Sequence, residues 1–327
     1  MIFLIKAGFI LTIFLILAID LGVFHKKLHE IKAKEAMGWT VFWISVALLF
    51  MIVIYFGYEY HWAGLGLEAH HIQTGSDAAL KYLTGYIVEY SLSLDNIFVI
   101  AMIFAYFKIP GIYQHRVLFW GILGALILRG IMIGAGTALI LKFSWMIYVF
   151  GVILIYTAIK MLRTAEDDAV EPEKNILFRI AKKLYPVTDK LEGEKFFSKI
   201  GAKRAITPLF LVLLVIESTD VMFAVDSIPA IFSITTDPNI VYTSNIFAIL
   251  GLRSLYFALA ALMNKFKYMK ISIVFLLIYV GIKMLLTHAF PIPTVISLCV
   301  IVTILSIGIA ASLISDKRGI KKKVSGS

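Results

Sequence analysis

Two apolar stretches carry acids at positions that no water-soluble fold explains well. Residues 88–99 read VEYSLSLDNIFV, placing Glu89, Asp95 and Asn96 in a run flanked by Lys81 and Lys108. Residues 215–232 read VIESTDVMFAVDSIPAIF, adding Glu217, Asp220, Asp226 and Ser227. Carboxylates, an amide, hydroxyls and one backbone carbonyl make an all-oxygen set. Such a set favours hard divalent cations such as manganese, magnesium or calcium over zinc or copper. That carbonyl belongs to Val225, because Pro229 has no N–H to offer it and crowds it sterically.

These residues must be positioned inside a bilayer. If the intervening chain is helical, Lys81 and Lys108 are about 40 Å apart, a membrane with its interfacial layers, and Asp95 falls near the midplane. A carboxylate there costs on the order of 3 kcal/mol, so such groups face a bundle interior and mark an ion path. On a helical wheel Glu89, Ser91, Ser93, Asp95 and Asn96 cover half the circumference, leaving Tyr90, Leu94 and Ile97 for apolar neighbours. This helix is therefore expected to be central.

Composition agrees with an all-α, polytopic membrane protein. Hydrophobic residues make up 60% of the chain and charged ones 16%, with a mean hydropathy of +0.90. The net charge of +10 does not indicate nucleic acid, since 24 of the 31 Lys and Arg fall in alternate inter-helix segments and the C-terminal tail. That is the positive-inside pattern, and it places the N-terminus outside and the C-terminus in the cytoplasm. The single cysteine, Cys299, excludes an internal disulfide.

About nine transmembrane helices are expected. Two lie within residues 1–60; the first (2–24) lacks the basic start and the small-residue cleavage site of a signal peptide, and its Asp20 reads as a helix-end carboxylate or a cation entry point. Residues 77–162 hold three helices, the first ending at Pro110 and Gly111 and the second carrying Gly121, Gly124, Gly130, Gly134 and a buried Arg129. A basic cytoplasmic linker, 163–205, follows; in it Ile176, Leu177, Ile180 and Leu184 recur at helical spacing among basic residues, suiting either a helix on the inner leaflet or a solvated linker. Residues 206–288 hold three more helices, the second of them carrying Arg253, and 291–315 the ninth, ahead of a basic tail, 316–327.

The two three-helix units are an internal repeat. Glu89 aligns with Asp220, Asp95 with Asp226, Asn96 with Ser227 and Arg129 with Arg253, and LIYTAIKML (154–162) matches LIYVGIKML (277–285). An odd number of helices per unit turns the second copy upside down, the architecture of alternating-access transporters. The arginines read as counter-charges for the acids, or alternatively as halves of a static packing network. No phosphate-binding glycine loop is present, which argues against ATP-driven pumping. An intramembrane aspartyl protease would carry GxGD, whereas the GxG sequences here are GLGL (64–67) and GAGT (134–137), so the chain does not read as an enzyme.

On AIDLGVFHKKLHEIKAKEAMGW (18–39), GYIVEYSLSLDNIF (85–98), YQHRVLFWGILGALILR (113–129), TPLFLVLLVIESTDVMFAVDSIPAIF (207–232) and YTSNIFAILGLRSLYF (242–257), the chain resembles the TerC (tellurium-resistance protein C) family of integral membrane proteins. It is most similar to the branch containing bacterial manganese exporters. The resemblance implies an inner-membrane exporter of manganese(II) with Glu89, Asp95, Glu217, Asp220 and Asp226 as transport residues and no tightly bound cofactor. The family also holds tellurium-resistance components and proteins that supply metal to exported enzymes. Electrostatics adds protons as the exchanged ion, because neighbouring carboxylates do not all stay ionised once a cation leaves.

Overall fold

The computed structural model describes residues 33–68, 71–163, 173, 175–188, 191–200, 203–260, 268–287 and 289–325, and for a few positions within them, Asp95 included, the backbone alone. The expected first span, with Asp20, lies outside the described residues.

Long apolar runs become long helices, and the polar punctuation between them sets their ends. Helix α1 is Ala33–Glu59, α2 Gly75–Tyr106, α3 Gly111–Lys142 and α4 Met146–Arg163. Thr74 caps α2 by accepting from the Asp77 amide, and Asp77 pairs with Lys81 one turn on at 2.6 Å. The helix stops where Lys108 adopts a positive φ of 51° ahead of Pro110. Between α1 and α2 lies a small hairpin of β1 (Leu67–Glu68) and β2 (His71–Ile72).

The basic linker is more ordered than its composition suggests. Asn175 caps α5, Ile176–Leu184, and β3 (Phe197–Ile200) pairs antiparallel with β4 (Lys203–Ile206), with Lys199 opposite Arg204. Helix α6 follows as Pro208–Phe232, with Pro208 in its first turn, and runs unbroken through Pro229. The expected seventh span, 243–264, is instead two pieces: α7, Pro238–Leu250, capped by Asp237, and α8, Leu252–Ala260, bent by 40° at Gly251. Helix α9 is Met269–Leu286, and α10, Thr294–Ser325, continues through the basic tail.

Among the described residues six helices are long and apolar enough to cross a membrane, or seven with the α7–α8 pair counted as one span; α9, the expected eighth, is not among the six. Apolar side chains such as Leu49, Ile131, Leu141, Val152, Met222 and Ile307 face outward, as lipid-facing positions of a bundle would.

Helix α2 is central, packing against α1, α6, α7, α8, α9 and α10. Its polar content is enclosed: Glu89, Ser91, Ser93 and Asn96 are all buried, while Tyr90, Leu94 and Ile97 meet apolar neighbours. Around it α2 packs on α7, α3 on α6, and α4 along α9. The last contact is backbone-close, because a Cβ at Gly281 would come within 2.9 Å of the Gly151 carbonyl oxygen.

Candidate functional site

One guanidinium organises the interior. Arg129 leaves the middle of α3, is 2% exposed and reaches three other helices. Its Nε donates to Asp220 Oδ2 at 3.2 Å and its Nη2 to Asp220 Oδ1 at 3.0 Å, a two-pronged fork onto α6. Its Nη1 donates to Glu89 of α2, to Ser227 Oγ of α6 at 3.2 Å and to Asn245 Oδ1 of α7 at 3.1 Å. Two carboxylates, a hydroxyl and an amide thus converge on a single cation inside the bundle. A buried charge persists only when paired and hydrogen-bonded in this way.

The network leaves spare acceptors. Glu89 Oε2, Glu217 Oε2, Ser93 Oγ and the Tyr90 hydroxyl have no hydrogen-bond partner among the described residues. Beside the fork lies a cavity of about 30 Å³, lined by Asp220, Thr219 and Phe223 of α6, Asn96 and Ile100 of α2, Gly121 of α3 and Arg253 of α8. That is room for about two water-sized spheres, and most of the wall is apolar. Its polar lining comes from three different helices.

The remaining acids point elsewhere, following helix geometry. Nine residues separate Glu217 from Asp226, half a turn short of a whole number of turns, so the two face opposite sides of α6. Glu217 faces α3, where a Cβ at Gly124 would fall on its carboxylate; only glycine leaves that space. Asp226 faces α4, accepting from Thr157 Oγ1 at 2.8 Å, with Lys160 near enough to act on it electrostatically. Among the described residues no three His, Cys, Asp or Glu side chains are grouped to hold a metal ion. The described carboxylates are thus spread around α6 and α2, and the side chain of Asp95 lies outside the described residues.

The structure distinguishes the two arginines that the repeat makes equivalent. Arg129 holds Glu89 and Asp220, and Arg253 lines the cavity together with Asp220, its Nη1 3.3 Å from His115 Nε2. Two contributors were not singled out from sequence, Asn245 and Thr157, while Gly124 was named only as part of a small-residue face. A signal existed for Thr157, which stands where the second repeat has Val280. For Asn245 the only hint was a lone amide within YTSNIFAIL.

Comparison with known proteins bears on the whole chain. The family model for the integral membrane protein TerC family matches residues 74–319. A relative from Myxococcus xanthus, called an uncharacterized membrane protein, is 46% identical over 95% of this chain and 92% of its own length. A relative from Salmonella typhi is 43% identical over 92% of this chain and 91% of its own, and one from Escherichia coli (strain K12) is 41% identical over 91% and 90%. Both of the latter are provisionally called membrane-bound redox modulator Alx. No solved structure matches. With its acids enclosed on α2 and α6 and a family match running from the start of α2 into the end of α10, the chain belongs to the TerC family of integral membrane proteins.

Proposed function

We propose that the chain exports a divalent metal cation, manganese(II) in the first place, from the cytoplasm across the bacterial inner membrane in exchange for protons. The observation that carries this reading is the Asp220 carboxylate, which is shared between the Arg129 fork and a small, mostly apolar cavity. A hard cation entering that cavity would find Asp220, the Asn96 amide and the Thr219 hydroxyl as oxygen ligands. It would compete with Arg129 for Asp220 and, through Arg129, for Glu89.

Each acid then has a place along a route. Glu217, three residues before Asp220 on α6 and given space by Gly124, is the station nearer the cytoplasmic end. Asp226, held by Thr157, is the station nearer the outside, with Ser227 between it and the Arg129 network. Asp95 is the counterpart of Asp226 in the first repeat. Protons replace the metal on carboxylates that it leaves, so an inward proton gradient drives metal outward.

The crosswise packing of α2 on α7 and α3 on α6, with α4 along α9, is consistent with two related units, because exchanging them swaps the first two contacts and returns the third to itself. The redox name of the relatives is compatible with this reading, since the cytoplasmic level of a redox-active metal bears on cell redox state. A second reading, a membrane partner that holds metal for exported enzymes without moving it, draws on the same acids. Purified protein in liposomes separates the two. Manganese flux that exceeds protein-free vesicles, follows the imposed pH gradient in sign and disappears in Asp220→Asn supports export; no flux under a gradient of either sign overturns it.

A further inference from the structure

Helix α5 has three faces, and one of them is unaccounted for by the bundle. At about 100° per residue, Ile176, Leu177, Ile180 and Leu184 share one arc, Phe178 and Ala181 the next, and Arg179, Lys182 and Lys183 the third, with the arc centres about 120° apart. The second arc is buried: Phe178 is 3% exposed and stacks at a tilt on Phe107, 5.9 Å between ring centres, just past the end of α2. The first arc is exposed although wholly apolar, with Ile176 at 68% and Leu184 at 67%. The third carries three cations alongside it.

The height of α5 relative to the bundle decides what meets that apolar arc. Its capping residue, Asn175, donates from Nδ2 to Ser218 of α6, ten residues and about 15 Å along the helix from Pro208. Ser218 lies on the side of α6 that continues outward into Met222 and Val225, both exposed apolar residues of a candidate span. So α5 begins beside a membrane-embedded turn and runs back toward the start of α6, antiparallel to it. An apolar arc at that depth cannot face water without cost, and the basic arc beside it matches the sign of anionic headgroups.

We propose that α5 is a lipid-docking helix, with Ile176, Leu177, Ile180 and Leu184 among the acyl chains of the cytoplasmic leaflet and Lys182 and Lys183 against anionic lipid headgroups. The linker between the two repeats is thereby fastened to the membrane surface at the flank of α6, the helix that carries Glu217, Asp220 and Asp226. A ring contact at 4.6 Å between the Lys182 ammonium and Phe178 keeps the basic arc turned along the protein.

Spin labels on the full-length protein test this. In a Cys299→Ser background, labels at Ile180→Cys and Lys183→Cys are read in phosphatidylcholine vesicles with and without phosphatidylglycerol, against oxygen, which dissolves in lipid, and a nickel chelate, which dissolves in water. The expected result is an oxygen-to-nickel accessibility ratio several-fold higher at 180 than at 183, with the label at 180 moving deeper when phosphatidylglycerol is present. Nickel access at both positions would place α5 in water, and shielding from both reagents would mean that protein covers it; either overturns the proposal. A depth at 180 that ignores phosphatidylglycerol overturns the headgroup contact. A Lys182→Gln, Lys183→Gln double variant, whose apolar arc is intact, should lose the phosphatidylglycerol-dependent shift while keeping the higher ratio at 180.

Discussion

Replacing Arg129 by methionine asks whether the guanidinium stands in for a metal. Methionine keeps an unbranched side chain of moderate length and removes all five hydrogen bonds that Arg129 makes to Glu89, Asp220, Ser227 and Asn245. Breaking a buried ion pair from one side costs about 3–5 kcal/mol, because the remaining carboxylates are left without a counter-charge. Arg129→Met should therefore melt well below wild type in metal-free buffer. Manganese at a hundred times its dissociation constant returns about 2.7 kcal/mol, most of that loss. Affinity should also rise, since the ion no longer displaces charged hydrogen bonds worth about 1.5–3 kcal/mol each; losing even one such competitor tightens binding about tenfold or more. The assay is manganese titration by calorimetry alongside thermal unfolding, in detergent, with Arg129→Lys as a control that keeps the charge but loses the fork. If Arg129→Met binds manganese no more tightly than wild type and gains no additional stabilisation from it, the arginine is not a counter-charge for the transported ion, and the network is a packing device.

Four further outcomes are expected. Asp95→Asn, Asp220→Asn and Asp226→Asn each keep side-chain shape but lose ionic ligand strength, so each should abolish manganese resistance in a sensitised bacterial host at unchanged membrane insertion; wild-type resistance in all three at matched expression would remove the path. Gly124→Val pushes atoms into the place of the Glu217 carboxylate and should cut flux at least as severely as Glu217→Gln, read in the same liposome assay; normal flux in both would take Glu217 off the route. Thr157→Val frees Asp226 from its hydroxyl donor while matching the residue found in the second repeat, and it should lower turnover several-fold with the manganese binding constant unchanged. A cytoplasm-active reporter fused after Asp316 should be active and a periplasm-active one silent; the opposite result would reverse the direction of export.

Much of the scaffold was readable because bilayers leave few options. The buried acids of α2 required a central helix and Pro110 and Gly111 marked its end, whereas the recurrence of Ile176, Leu177, Ile180 and Leu184 left a helix and a solvated linker both open, and the structure has the helix. The bend at Gly251 was not readable, since a lone glycine between Leu250 and Leu252 is also at home inside a straight membrane helix. The β3–β4 hairpin was hidden because FSKI and KRAI are short, basic and joined by a segment that reads as linker. Within the site, helical periodicity puts Glu217 and Asp226 on opposite faces of a straight α6, and the helix runs unbroken through Pro229. Periodicity could not find the Arg129 network, because Arg129 and Arg253 occupy matching repeat positions and only tertiary packing sets what each one meets. Nor could it find Asn245, whose partner is 116 residues away.

On the proposed cycle, the charge held at the centre of the bundle would make each half of the cycle electrical. With Glu89 and Asp220 ionised around Arg129, the trio carries one net negative charge, and a bound divalent ion changes that to one positive. Each reorientation would then move a charge of defined sign through the membrane field, worth about 2.3 kcal/mol per elementary charge per 100 mV. A cell interior that is negative resists the outward movement of the loaded, positive site, and favours the inward return of a site that has become positive by protonation of both acids. The two half-cycles carry equal charge in opposite directions, so exchanging one divalent ion for two protons moves no net charge, and the pH difference rather than the voltage would drive the exchange.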